Sequence, residues 1–238
     1  MLEGPGGDVL FDYGERALFH LSSDRLVLRC APADPAEPSW QRVLLDTVLW
    51  TASLLRGFEL LHMSAVELPA GVVAFAAQSG GGKTTLAAEF LARGGRLFSD
   101  DILALSEAGD GAVVHPGPPV ANLPRAFPLD SLAGAEQLAE LGDERWVRLP
   151  PPRPVAQPLA AVVLLEREPG AQLACEPLPT TTMTLLPFAV GFPHLADRAR
   201  RRFELLGGVA ARARTVRLRA GLDVPAAALA NLLAEQIQ

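Results

Sequence analysis

The segment Val72-Val73-Ala74-Phe75-Ala76-Ala77-Gln78-Ser79-Gly80-Gly81-Gly82-Lys83-Thr84-Thr85 holds the residue types most suited to chemistry in this chain. An apolar run with strand character feeds three successive glycines, then a lysine, then two threonines that open a helical pattern. Glycines let backbone N–H groups turn toward an anion with no Cβ in the way. A helix starting at Thr84 adds its orphan N–H groups and the positive end of its dipole. The pattern G-x-x-x-x-G-K-[ST] of a phosphate-binding P-loop is met except at its first position, where Ala77 stands. Alanine fits there if its backbone has negative φ. Ser79, Gly80, Gly81, Gly82, Lys83, Thr84 and Thr85 are thus the expected nucleotide-binding residues. Lys83 would reach the β- and γ-phosphates of ATP, and Thr84 would put its hydroxyl on Mg²⁺. The plain alternative is a glycine-rich hairpin with a chance lysine.

Lys83 is also the only lysine among 21 basic residues; the other 20 are arginines. A coding bias toward arginine leaves lysine where a compact ammonium is needed rather than a wide planar fork. Asp100-Asp101 follow a strand-like Arg96 to Ser99, 17 residues after Lys83. One helix, a Gly94-Gly95 turn and a return strand fill that span, so the strand end can arrive beside the glycine loop. Carboxylates there could hold Mg²⁺ or take a proton from an attacking hydroxyl. Neighbours in a regular strand point to opposite faces, so both acids reach one site only if the chain bends between them. Ordinary solvated acids at a strand end are the alternative.

The elements that must position these groups read as follows. Val9–Phe11 and Leu26–Leu28 are short strands, and Trp40, Val43, Leu44, Val48 and Leu55 recur at helical spacing between Pro38 and Gly57. Phe58 to Leu68 and Val72 to Ala76 are strands joined by a Pro69-Ala70-Gly71 turn, and Thr84 to Arg93 is a helix. Ile102 to Leu105, Leu159 to Leu165 and Thr215 to Leu218 are strands, with Pro116–Pro128 and Pro150–Pro158 as loops. His194 to Leu206 reads as a helix stopped by Gly207-Gly208, and Asp223 as the cap of a last helix. Thr180-Thr181-Thr182 could cap a further one. The expected architecture is α/β, with residues 1–57 as N-terminal strands and helix and 58–238 as the catalytic domain.

Composition narrows the class. Hydrophobic residues are 49% and charged residues 20% of 238, which excludes wholesale disorder. A net charge of −6 argues against a generic nucleic-acid binder. Cys30 and Cys175, the two cysteines, have no metal-type spacing. No basic segment followed by an apolar one opens the chain, and the longest apolar run, Leu159 to Leu165, is too short to cross a bilayer. A cytoplasmic protein with no membrane partner is expected. Eight arginines lie between residues 197 and 219 against Asp197 and Glu204. They form either a basic face for an acidic peptide or a solvated helix and strand.

From His62 to Asp101 the residues resemble the catalytic domain of HPr kinase/phosphorylase and its HPr-kinase-related relatives. The resemblance lies in Leu61-His62-Met63-Ser64-Ala65-Val66, in Ser79-Gly80-Gly81-Gly82-Lys83-Thr84, and in Arg93-Gly94-Gly95-Arg96-Leu97 leading to Asp100-Asp101. It implies a P-loop kinase core of the HPr kinase / phosphoenolpyruvate carboxykinase type with a mixed sheet. It further implies transfer of the γ-phosphoryl group of ATP to a serine hydroxyl of a peptide or small protein. Asp100 would then be the general base, Asp101 would orient the metal and its water, and His62 would sit near the transferred phosphate. The alternative for His62 is a strand histidine satisfied by a backbone carbonyl. Thr85 stands where the bona fide enzyme has glutamate, and no Leu-Glu-x-Arg-Gly segment follows the aspartates; His115-Pro116-Gly117-Pro118-Pro119 is the corresponding region. These departures point toward the related kinases found beside peptide-tailoring genes, and they leave a homo-oligomer open. Two other functions fit the same residues: an ATP-binding partner that regulates another enzyme without transfer, and a kinase of a small alcohol or sugar.

Overall fold

In the computed structural model, residues 1–109, 111–191 and 196–237 are described, and they form two compact units, Met1–Phe58 and Glu59–Gln238. His194 and the expected helix start around it lie outside the described residues.

In the first unit, apolar residues at alternate positions build a sheet with one buried face. Strands β1 (Leu2–Glu3), β2 (Val9–Asp12), β3 (Ala17–Leu21) and β4 (Leu28–Pro32) follow one another as an antiparallel meander. Val9, Phe11, Ala17, Phe19 and Leu21 pack with Val43, Val48 and Ala52 from a helical segment. That segment is α1 (Ser39–Val43), a π-helical turn (Leu44–Val48) and α2 (Leu49–Leu55), where the spacing predicts an unbroken α-helix. Val43 and Val48 are five apart, and an i→i+5 turn is what stacks such a pair on one face.

The second unit runs β5 (Glu59–Leu61), β6 (Ser64–Leu68), β7 (Gly71–Ala76), α3 (Lys83–Ala92), β8 (Arg96–Ser99), β9 (Leu103–Ala108), β10 (Gly111–His115), β11 (Val120–Pro124), β12 (Glu136–Leu141), β13 (Glu144–Arg148), β14 (Leu159–Arg167), β15 (Ala174–Leu178), α4 (Thr182–Leu185), β16 (Ala189–Val190), α5 (Ala196–Ala210), β17 (Arg214–Ala220) and α6 (Ala226–Ile237). Its main sheet is mixed, in the order β15-β17-β14-β7-β6-β8. β17, β14 and β7 are parallel, and β6 is antiparallel to both β7 and β8. β7 and β8 therefore run the same way with β6 between them, and their C-terminal ends share one edge.

Both faces of this sheet are covered, which is why β14 reads as a continuous apolar run. Val72, Ala74, Ala76 and Val162 face the antiparallel sheet β10-β9-β5-β16 and α5. Val73, Phe75, Val163 and Leu165 face α3 and α6. Phe75 stacks on Phe90 of α3 at 5.5 Å between ring centres. A third sheet, β11-β13-β12, packs Leu123 and Val147 on Ala88 and Leu97. No helix among the described residues is long and apolar enough to cross a membrane.

Further expectations are revised, among them the Leu26–Leu28 strand, which is replaced by β4 from Leu28 to Pro32. The proline-dense stretch 116–128 contains a strand, β11, which tolerates Pro124 because it is the sheet's edge and Pro124 its last residue. Helix α5 does not stop at Gly207-Gly208 but continues to Ala210. At Gly208 a Cβ would stand 3.3 Å from the Ala112 backbone nitrogen, so this glycine permits close packing on β10 rather than ending the helix. The strand character read over Phe58 to Leu68 splits into β5 and β6 around His62-Met63.

Candidate functional site

The loop from β7 to α3 turns on its glycines. Gly80 and Gly82 have φ of +73° and +90°, where a side chain is strained. Gly81 donates its N–H to the Gln78 carbonyl at 2.9 Å, and a Cβ on it would lie 2.8 Å from the Ala77 Cβ. Ala77 is not among the residues with positive φ, as its place in the motif requires. Gly82 caps α3 with no side-chain hydrogen bond, and no acidic residue occupies the first turn. The helix N-terminus therefore keeps orphan donors of the kind that receive anions.

Lys83 opens α3 and is 6% exposed. Its Nζ donates to Nε2 of His62 at 3.0 Å. Among the described residues no ion pair joins it to a carboxylate. An ammonium can only donate, so Nε2 is the accepting nitrogen, and the ring is held in one tautomer. Burial, then the Lys83 charge, pushes the His62 imidazole below its usual value, against the Asp101 backbone hydrogen bond, which raises it. His62 sits in the gap between β5 and β6, where its backbone N–H donates to the Phe188 carbonyl at 2.7 Å.

Asp100 lies at the C-terminal end of β8. Its Oδ1 accepts from Ser64 Oγ at 2.6 Å and from Thr84 Oγ1 at 3.0 Å, and its Oδ2 accepts from the Asn122 backbone N–H at 2.9 Å. Burial, then the neighbouring Asp101, raises its carboxyl to about 6, against the three donors that favour the charged form. The bend the two acids require is present. Asp101 has φ of +59°, and the Ile102 N–H closes back on the Asp100 carbonyl at 2.7 Å.

The structure thus brings Lys83, His62, Thr84, Asp100 and Asp101 together. Ser79 is exposed on the loop and Thr85 is half-buried in the first helical turn, and neither side chain joins this hydrogen-bonded cluster. Two further residues, Ser64 and Asn122, belong to the site. Ser64 is fully buried on β6, a polar residue in an apolar strand whose hydroxyl needs a partner. Asn122 donates its Nδ2 to Glu144 Oε2 at 2.5 Å, while its Oδ1 is buried with no hydrogen-bond partner. Asn122 is on β11, inside the stretch read as loop, so no alternation signal marked it.

Oxygen donors suit a hard cation. Thr84 Oγ1 and the two aspartates are such a set, and phosphate oxygens would have to complete it. Among the described residues no group of three or more His, Cys, Asp or Glu converges on one point.

The arginine-rich stretch is largely paired. Arg198 and Arg202 both bind the buried Glu59, at 3.2 and 2.8 Å. Arg201 meets Glu107, Arg217 meets Glu166 and Glu176, and Arg219 meets Glu166. These pairs tie α5 and β17 to their neighbours.

No family model matches the chain, and no curated protein matches it. Among solved structures it is similar to the Hpr(Ser) kinase/phosphatase from Coxiella burnetii, with 9% identity and a TM-score of 0.38, over 74% of this chain and 95% of that one. At that identity and score the likeness carries no argument about activity, which has to come from the side chains.

Proposed function

We propose that the protein is an ATP-dependent kinase that transfers the γ-phosphoryl group to a serine hydroxyl of a peptide or small protein. The observation that carries this reading is Lys83: a buried ammonium with a neutral imidazole beside it, at a glycine turn and a bare helix N-terminus. Burying a cation without an anion is expensive, and a phosphate chain supplies the missing charge. Lys83 and the loop N–H groups hold the phosphates in place as charge shifts toward the leaving oxygen.

Asp100 is the base. Its raised carboxyl is matched to removing a hydroxyl proton near neutral pH. The acceptor oxygen attacks the γ-phosphorus, the bond from that phosphorus to the bridging oxygen breaks, ADP leaves, and the hydroxyl proton passes to Asp100. Mg²⁺, held by Thr84 with Asp101, would neutralise phosphate charge, and the Thr84–Asp100 hydrogen bond places Asp100 within reach of the same ion. His62 fixes the direction of the Lys83 ammonium.

The test is incubation of the full chain with ATP, Mg²⁺ and candidate serine peptides, read by mass spectrometry for one added phosphoryl group. Lys83→Met is expected to abolish both nucleotide binding and transfer. Asp100→Asn should lower transfer by about 10²–10⁴-fold while ATP still binds. Undiminished transfer by Asp100→Asn would remove the base role. The lack of a Leu-Glu-x-Arg-Gly segment after the aspartates, and so of its metal-binding glutamate, favours one other reading, a nucleotide-binding regulatory partner. Nucleotide binding with no acceptor modified would select it.

A further inference from the structure

A cleft of about 310 Å³ opens on the other flank of the glycine loop, lined by Gly80 and Gly81, by Leu165, Glu166 and Glu168 at the end of β14, and by Leu222. We infer that this cleft is the nucleoside subsite, taking the base and ribose of the triphosphate. The inference rests on the phosphate-loop reading of Lys83.

Strand order gives the direction. β7 delivers the loop; β6 and β8, with Ser64 and Asp100, lie on one side of it, and β14 and β17 on the other. β7, β14 and β17 are parallel, so the loop, the end of β14 and the turn after β17 share one edge of the sheet. The reacting phosphate must face Lys83, Thr84 and Asp100. The rest of the ligand then runs across the loop toward β14.

Charge supports the same orientation. Glu168 would repel phosphates but tolerate the uncharged end of the ligand, while Glu166 is held by Arg217 and Arg219. Arg167, the cation in the cleft lining, is occupied: it donates to the carbonyls of Gly221, Leu222 and Val224 at 3.1, 2.9 and 2.8 Å. Those bonds fix the turn that carries Leu222. Leu165 is buried beneath the loop, and Leu222 is 61% exposed, an apolar side chain standing at the cleft wall where a base could lie against it. The volume is at the lower end of the roughly 300–1,000 Å³ usual for small-ligand clefts.

The experiment compares calorimetric titrations of the full chain, with Mg²⁺, by a nonhydrolysable ATP analogue and by inorganic tripolyphosphate. Leu222→Ala should weaken the ATP analogue about tenfold and leave tripolyphosphate affinity unchanged. Lys83→Met should abolish both. If wild type binds both ligands and Leu222→Ala binds the analogue as wild type does, the subsite assignment fails while the phosphate-loop reading stands. If wild type binds neither, both fall. Photolabelling with 8-azido-ATP gives a second readout: attachment to the Leu165–Glu168 or Gly221–Asp223 peptide supports the subsite, and attachment confined to other segments overturns it. Leu222 is exposed, so its truncation should leave the circular dichroism spectrum unchanged.

Discussion

At the scale of single residues, the site is a set of groups whose demands are met unequally. Asp100 has three donors and is still raised, because burial and Asp101 outweigh them. Asn122 Oδ1 is buried with none, and a lone buried acceptor costs about 1–3 kcal/mol. His115, by contrast, has a local partner, with Ser106 Oγ 2.8 Å from its Nε2, and burial lowers it from 6.5. Above that value neither folded nor unfolded chain is protonated there. As pH falls through 6.5 the unfolded chain takes a proton first, so the fold loses stability. Melting temperature should therefore drop more between about pH 7 and about pH 5.5 in wild type than in His115→Gln. Equal drops would show that His115 does not contribute.

Among elements, the decisive one is the turn between β7 and α3. Its glycines act for different reasons, Gly80 and Gly82 through positive φ and Gly81 through lack of space. Gly81→Val would drive a side chain into the Ala77 Cβ and into the Gln78 carbonyl, 2.9 Å from a Cβ there. Neither neighbour is a flexible side-chain end, so the turn must open and its N–H groups lose their aim. ATP-analogue affinity is expected to fall by about tenfold or more, measured by calorimetry. Melting should change little, since Gly81 lies outside the buried clusters. Retained affinity would mean that the loop backbone does not contact the ligand.

For the whole molecule, the two units have separate cores. Phe19 is fully buried in the first, among Val9, Phe11 and Leu21. Phe19→Ala should destabilise that unit by about 3–5 kcal/mol. If the phosphate site depends only on the second unit, ATP-analogue binding measured below the variant's melting transition should match wild type. Lost binding in a variant whose second unit is still folded would show that the site depends on the first.

The sequence by itself determined the local machinery. The strand, the three glycines, Lys83 and the helix after it are contiguous, and each signals through short-range rules of φ, chirality and periodicity. Asp100-Asp101 was legible for the same reason, at the end of a recognisable strand, and so was the Thr181 cap, which accepts from the Thr184 N–H. Tertiary structure alone decided which distant groups face that machinery. Ser64 stands 36 residues from the Asp100 it donates to, and Asn122 stands 22 away on a strand hidden among prolines. β12, β13 and β15 escaped because their alternating or charged stretches gain strand character only when a neighbour pairs with them. The arginines near the C-terminus read either as a basic face or as a solvated helix and strand, and five of them found carboxylates on other elements. Hydrogen bonds and ion pairs between remote segments depend on where the sheet order brings strand ends together, and no local preference in the chain encodes that.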